Sequence, residues 1–245
     1  VGGWHGNYKS WEDAKKRASG YENDDILKKV KESLLKVKSG EAVYERDSVL
    51  FDKVEYSYPL LSSLLFVATQ NNSTLNLLDF GGSLGSTYFQ NLKFLNRLNS
   101  VKWNIVEQKS FVECGKKHFE DDRLKFYHTI ADCLMENKVD IVLFGSVLQY
   151  LEKPYDIIDQ IINLGIKYII IDRTPFIDKN SDRITVQRVP KNIYKASYPC
   201  WYFSRKKFES KIQKEYDIFF DCNSDDISNI DNANFKGYLF VKKEH

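Results

Sequence analysis

Apolar and polar positions follow two different rhythms along this chain, and the change falls near residue 70. Before it, the spacing is helical. Ser10 with Asp13 forms a capping pattern that opens a helix running through Ala18. Ile26, Val30, Leu34 and Val37 then recur on one helical face, and Gly40 follows as a stop. A third helix is predicted over Tyr58–Thr69; Pro59 sits in its first turn, and its apolar residues extend nearly all round, which marks it as buried. Residues 1–70 therefore read as a helical cap with few strand signals.

From Leu75 onward, short apolar runs alternate with amphipathic ones. Strands are predicted at 75–80, 101–106, 124–128, 139–144 and 167–172, and helices at 86–98, 110–119, 131–136 and 154–163. That alternation implies a parallel sheet with helices on both faces. Two further runs, Tyr216–Phe220 and Tyr238–Lys242, flank a polar loop and read as a hairpin that adds an antiparallel strand. The expectation is an α/β protein with a seven-stranded, mostly parallel sheet over residues 71–245, and a segment at 173–205 inserted after the fifth strand.

Composition narrows the function classes. Thirty-six basic against 34 acidic residues give a net charge of +2, so the chain has no overall electrostatic drive toward nucleic acid or an anionic membrane. Cys114, Cys133, Cys200 and Cys222 are scattered without paired spacing, which argues against a disulfide framework or zinc site and for a reducing compartment. No apolar run approaches the roughly 20 residues of a membrane span, and the polar start does not read as a signal peptide. A cytoplasmic protein without a metal is expected.

The candidate chemistry gathers at strand ends. The first run closes on Asp79 and turns through Gly81, Gly82, Ser83 and Gly85 into a helix. This strand, glycine turn and helix lets backbone approach a ligand closely, with helix amides facing it. The dinucleotide pattern Gly-x-Gly-x-x-Gly is absent; the motif is Asp79-x-Gly81-x-Ser83-x-Gly85. Glu107 closes the next strand, where a carboxylate suits the two hydroxyls of a ribose. His128-Thr129-Ile130 follows the third, and Gly145-Ser146 the fourth, within Val139–Leu151.

Asp79-x-Gly81-x-Ser83-x-Gly85, Glu107, and Asp140-Ile-Val-Leu-Phe-Gly-Ser-Val-Leu-Gln-Tyr150-Leu together resemble class I methyltransferases that use S-adenosylmethionine (SAM). The concluding hairpin is similar to the reversed last strand of that Rossmann-like fold. Gly40-x-Ala42-x-Tyr44-Glu45-Arg46-Asp47, Tyr58-Pro59-Leu60-Leu61, Ile171-Asp172-Arg173-Thr174-Pro175 and Tyr198-Pro199-x-Trp201 extend the resemblance over nearly the whole chain, to a bacterial methyltransferase family found with surface-polysaccharide genes. The resemblance implies SAM as cofactor and O-methylation of a capsule or O-antigen component, or of its phosphorylated or nucleotide-linked precursor. It places Gly81, Gly82, Ser83 and Gly85 against the methionine portion and Asp79 at its ammonium. Glu107 and Gln108 go to the ribose, Thr129 and Ile130 to the adenine, and Gly145 and Ser146 beside the sulfonium. Serine stands at position 83, where many such enzymes have glycine.

An alcohol acceptor benefits from a general base, and His128 is the first candidate, with His5 the second if the N-terminal segment folds over the site. The acceptor is expected to be a small molecule or glycan precursor. Its pocket falls to Tyr44, Arg46, Asp47, Arg173, Gln187, Tyr194, Tyr198 and Trp201, since aromatic faces pack on sugar rings and arginine forks bind phosphate or carboxylate. Packing is the competing role for Trp201. Two other functions share the geometry: an NAD(P)-dependent sugar oxidoreductase or epimerase, and a non-catalytic methyltransferase-like subunit. The first is disfavoured by the missing dinucleotide pattern and the terminal hairpin. Oligomeric state is left open by the sequence.

Overall fold

The computed structural model describes residues 2–19, 23–46, 49–189 and 196–244. The chain opens with β1 (Gly3–Tyr8), α1 (Trp11–Lys15), α2 (Asn23–Ser39), β2 (Tyr44–Arg46), β3 (Val49–Phe51) and α3 (Tyr58–Thr69). It then alternates through β4 (Thr74–Phe80), α4 (Ser86–Leu95), β5 (Ser100–Val106), α5 (Lys109–His118), β6 (Leu124–Tyr127), α6 (Ile130–Glu136) and β7 (Ile141–Gly145). A 3-10 turn at Leu148–Tyr150 leads to α7 (Pro154–Leu164), β8 (Tyr168–Ile177), β9 (Arg183–Arg188) and β10 (Ser197–Ser204). The last elements are α8 (Arg205–Ile212), β11 (Tyr216–Asn223) and β12 (Ala233–Lys242). These elements group into two compact units, residues 23–144 and residues 1–22 with 145–245.

In the unit of residues 23–144, β7, β4, β5 and β6 run parallel in that order. Leu75, Leu77 and Leu78 of β4 are wholly buried, as expected of a strand covered on both faces. The register sets Phe80 beside Val106 and Val106 beside Tyr127, so the three strands end level. The pairing continues one step past each end: the Gly81 amide donates to the Val106 carbonyl at 2.9 Å, and the Glu107 amide to that of Tyr127 at 3.1 Å. Gly81, Glu107 and His128 thereby stand along one edge. Ile26, Val30 and Leu34 are the buried stripe of α2, and Leu64, Val67 and Ala68 of α3 are completely enclosed. The helical reading of residues 1–70 misses the hairpin of β2 and β3, where Tyr44 faces Phe51 with ring centroids 5.6 Å apart. Three-residue strands held by one cross-strand aromatic pair leave no periodicity to read.

In the other unit, β8 is longer than the predicted 167–172 because β12 pairs antiparallel along most of it, from Val241 opposite Tyr168 to Ala233 opposite Ile177. β10 lies parallel to its far end, with Phe203 beside Phe176. β9 pairs antiparallel with β10, and β1 antiparallel with β9. The described part of segment 173–205 is thus mostly strand, and residues 3–8 form a strand within the stretch read as a helical cap. The sequence Gly-Trp-His-Gly-Asn-Tyr has little strand propensity of its own; β9 and two side-chain anchors impose the conformation. Asn229 accepts from the Trp4 amide at 2.8 Å and donates to the Trp4 carbonyl at 2.9 Å, while the Arg183 guanidinium makes two bonds to the Gly6 carbonyl. Among the described residues, ten strands take part in the larger pairings rather than seven, four in one unit and six in the other. Among the described residues, no helix is long and apolar enough to cross a membrane.

Candidate functional site

The glycine turn is built on a buried acid. Asp79 is 2% exposed at the penultimate position of β4, and its Oδ2 accepts from the Trp103 indole at 3.0 Å. Burial pushes its carboxyl up to about 7; the indole bond opposes the rise, and the nearby Glu107 charge adds to it. A Cβ on Gly82 would lie 2.4 Å from the Asp79 carboxyl, so the turn folds directly over that side chain and only glycine fits. Gly81 and Gly85 take left-handed backbone, at φ 73° and 100°. Ser83 takes it too, at φ 54°, a conformation that costs a non-glycine residue about 1–2 kcal/mol. Glu107 helps to hold it there: one carboxylate oxygen accepts from the Ser83 amide at 3.3 Å and the other from the Gln108 amide at 2.7 Å. Burial raises the Glu107 carboxyl, and these two amide bonds oppose the shift.

Helix α4 starts directly after Gly85, and its first residue, Ser86, donates to buried Glu45 at 2.5 Å. The neighbouring Tyr44 is also buried, its hydroxyl accepting from Gln90 at 3.0 Å. Tyr44 is therefore part of the packing beside the turn. The Arg46 side chain, Asp47 and Tyr194 lie outside the described residues.

After β6, His128 is exposed, Thr129 caps α6 by accepting from the Asp132 amide at 3.0 Å, and Ile130 is buried. Asp79, Gly81, Gly82, Ser83, Gly85, Glu107 and Gln108 are thus brought together by one set of parallel strand ends, with the His128–Ile130 segment at the next strand along the same edge.

The remaining candidates belong to the other unit. Gly145 closes β7, and Ser146 follows at φ 55° with its amide donating to the Asp172 carbonyl at 2.9 Å. Arg173, at φ 47°, sets its guanidinium 3.6 Å from the Asp172 carboxylate. Gln187 accepts from the Tyr150 hydroxyl at 2.9 Å, and Tyr150 meets Tyr198 edge to face at 5.2 Å. Gln187 and Tyr198 are half-buried cross-strand neighbours. Trp201 faces elsewhere: it stacks on Trp11 at 5.8 Å and donates from its indole to the Leu151 carbonyl at 2.9 Å. His5 sits in β1 opposite Val186, its Nε2 buried without a hydrogen-bond partner among the described residues.

Three contributors escape the sequence reading. Trp103 looks like an ordinary core residue, yet its position two residues before Ile105, the register partner of Asp79, makes it the diagonal neighbour of that acid. Gln149 and Tyr150 fall inside the resemblance motif without a role of their own; the polar pair within an apolar run is the only signal.

No family model matches the sequence, and no curated protein does. Solved structures do. The glycopeptide N-methyltransferase MtfA complexed with SAM superposes with a TM-score of 0.52 at 8% identity, over 74% of this chain and 93% of that one. The N-terminal domain of EvdMO1, in the presence of SAH (S-adenosylhomocysteine) and D-fucose, gives 0.51 at 11% identity over 92% and 98%. A SAM-dependent methyltransferase from Methanosarcina mazei gives 0.50 at 10% identity over 72% and 97%. This chain has the Rossmann-like α/β fold of the SAM-dependent methyltransferases.

Proposed function

We propose that the protein is a SAM-dependent methyltransferase that methylates an oxygen of a surface-polysaccharide component or of its phosphorylated or nucleotide-linked precursor. The observation that carries this reading is the Asp79–Gly85 turn, held by Glu107 through the Ser83 amide at the level edge of β4, β5 and β6. Its glycines admit a ligand to the backbone, and the amino end of α4 favours the cofactor's carboxylate. Glu107 retains lone pairs for two ribose hydroxyls while holding the turn. Asp79 acts beneath the turn, shaping Gly82, rather than through open contact with an ammonium.

Bound SAM supplies a methyl group on a sulfonium leaving group. The chain's own tasks are to align the acceptor, exclude water and take up the hydroxyl proton. We assign the proton to His128, exposed at the strand edge that carries Gly81 and Glu107. Acceptor recognition is assigned to Arg173, Gln187 and Tyr198, whose cation, amide and ring suit a phosphorylated sugar. The resemblance of its motifs to the polysaccharide-associated family is what supports that substrate class.

Thermal shift with SAH and with NAD tests the reading. Stabilisation by SAH alone is expected, and stabilisation by NAD alone would replace it with the oxidoreductase alternative.

A further inference from the structure

Two non-glycine residues in left-handed backbone, Ser146 at φ 55° and Arg173 at φ 47°, are joined by a third side chain. Gln149 is completely buried, and its Nε2 donates both to Ser146 Oγ at 2.9 Å and to the Arg173 carbonyl at 3.3 Å. Reversing the amide would set its oxygen against the Arg173 carbonyl, so the donors fix its orientation. Its Oε1 is then left buried without a hydrogen-bond partner among the described residues. An orphaned buried acceptor is a cost that a methionine of similar shape would avoid. A glutamine here is therefore explained by the two bonds it donates. Ser146 directly follows β7 while Arg173 lies within β8, and the Ser146 amide bond to the Asp172 carbonyl ties the two places to each other. Left-handed strain of this kind persists only where surrounding groups hold it in place.

We propose that Gln149 is a positioning residue that clamps Ser146 and Arg173 in their left-handed conformations, fixing where the serine hydroxyl and the arginine side chain are presented. What the clamp serves rests on the methyltransferase reading, under which Ser146 touches the cofactor; the clamp itself does not.

The test compares Gln149→Met, Ser146→Gly and the double variant in the full chain, by SAH calorimetry and thermal unfolding. Glycine needs no clamp at φ 55°. Gln149→Met is expected to weaken SAH at least tenfold with a melting temperature within a few degrees of wild type. The double variant is expected to bind within threefold of Ser146→Gly alone. Unchanged affinity in Gln149→Met, or purely additive losses, would overturn the proposal. Should the methionine variant fail to fold, Gln149→Glu takes its place, since it keeps the shape and replaces the donor with an acceptor. If wild type does not bind SAH, the methyltransferase reading falls, and amide exchange decides the clamp. The Ser146 amide should then exchange at least tenfold faster in the Gln149 variant, and an equal rate sinks the clamp as well.

Discussion

The indole of Trp103 donates to Asp79 Oδ2 at 3.0 Å, with both side chains shut away from solvent. The bond does not offset the burial, and the carboxyl stays raised to about 7. A raised acid holds a proton in the folded chain that the unfolded chain has lost, so stability owed to Asp79 is present below pH about 4 and lost as pH rises through 7. Asp79→Asn keeps a carbonyl for Trp103 and never ionises. Urea unfolding should find the variant more stable than wild type by about 1–4 kcal/mol at pH 8 and close to it at pH 4. A difference that ignores pH would show that Asp79 does not titrate in this range.

Gly82→Ala adds a methyl 2.4 Å from the same carboxyl. The expected cost is about 1–3 kcal/mol of stability, together with weakened SAH binding. Asp79→Ala in the same chain makes room and should recover most of both. Failure of the second change to compensate would locate the damage elsewhere in the turn.

Glu107→Ala removes the acceptor for the Ser83 and Gln108 amides and the proposed partner of the ribose. Calorimetry should show SAH affinity lower by about 10–100-fold, equivalent to about 1–3 kcal/mol, with a much smaller change in melting temperature. An unaltered affinity takes Glu107 out of the site.

Trp201→Phe separates packing from recognition. Phenylalanine can keep the stack on Trp11 but cannot donate to Leu151, so a loss of about 1 kcal/mol in unfolding free energy is expected, with SAH affinity unchanged. Normal stability with impaired methyl transfer would return Trp201 to the acceptor.

The sequence is most legible where the signals are local. Leu75 to Leu95 can be read as strand, turn and helix because a buried apolar run, glycines and an amphipathic stretch follow one another without help from distant chain. The same holds for the helix Tyr58–Thr69, which the structure keeps at those bounds. β1 is not legible in this way: its partner β9 lies far along the chain and its own strand propensity is low, while β9 and β10, which pair with each other, fall in the stretch read as an insertion. At the site, the meeting of Gly81, Ser83 and Glu107 follows from strand ends alone. The Trp103 bond needs the β4–β5 register, and the Gln149 bridge needs the backbone angles of two other residues. Neither is written in composition or spacing.

The pairing of β1 with β9 carries a cost in time. During synthesis Trp4 is made 225 residues before its anchor, Asn229. The stretch 23–144 can assemble its strands and glycine turn from neighbours already translated, while the first segment waits, its aromatic residues unprotected, until the final hairpin emerges. Chaperone capture of nascent chains should therefore concentrate on that waiting segment and end once Asn229 has emerged.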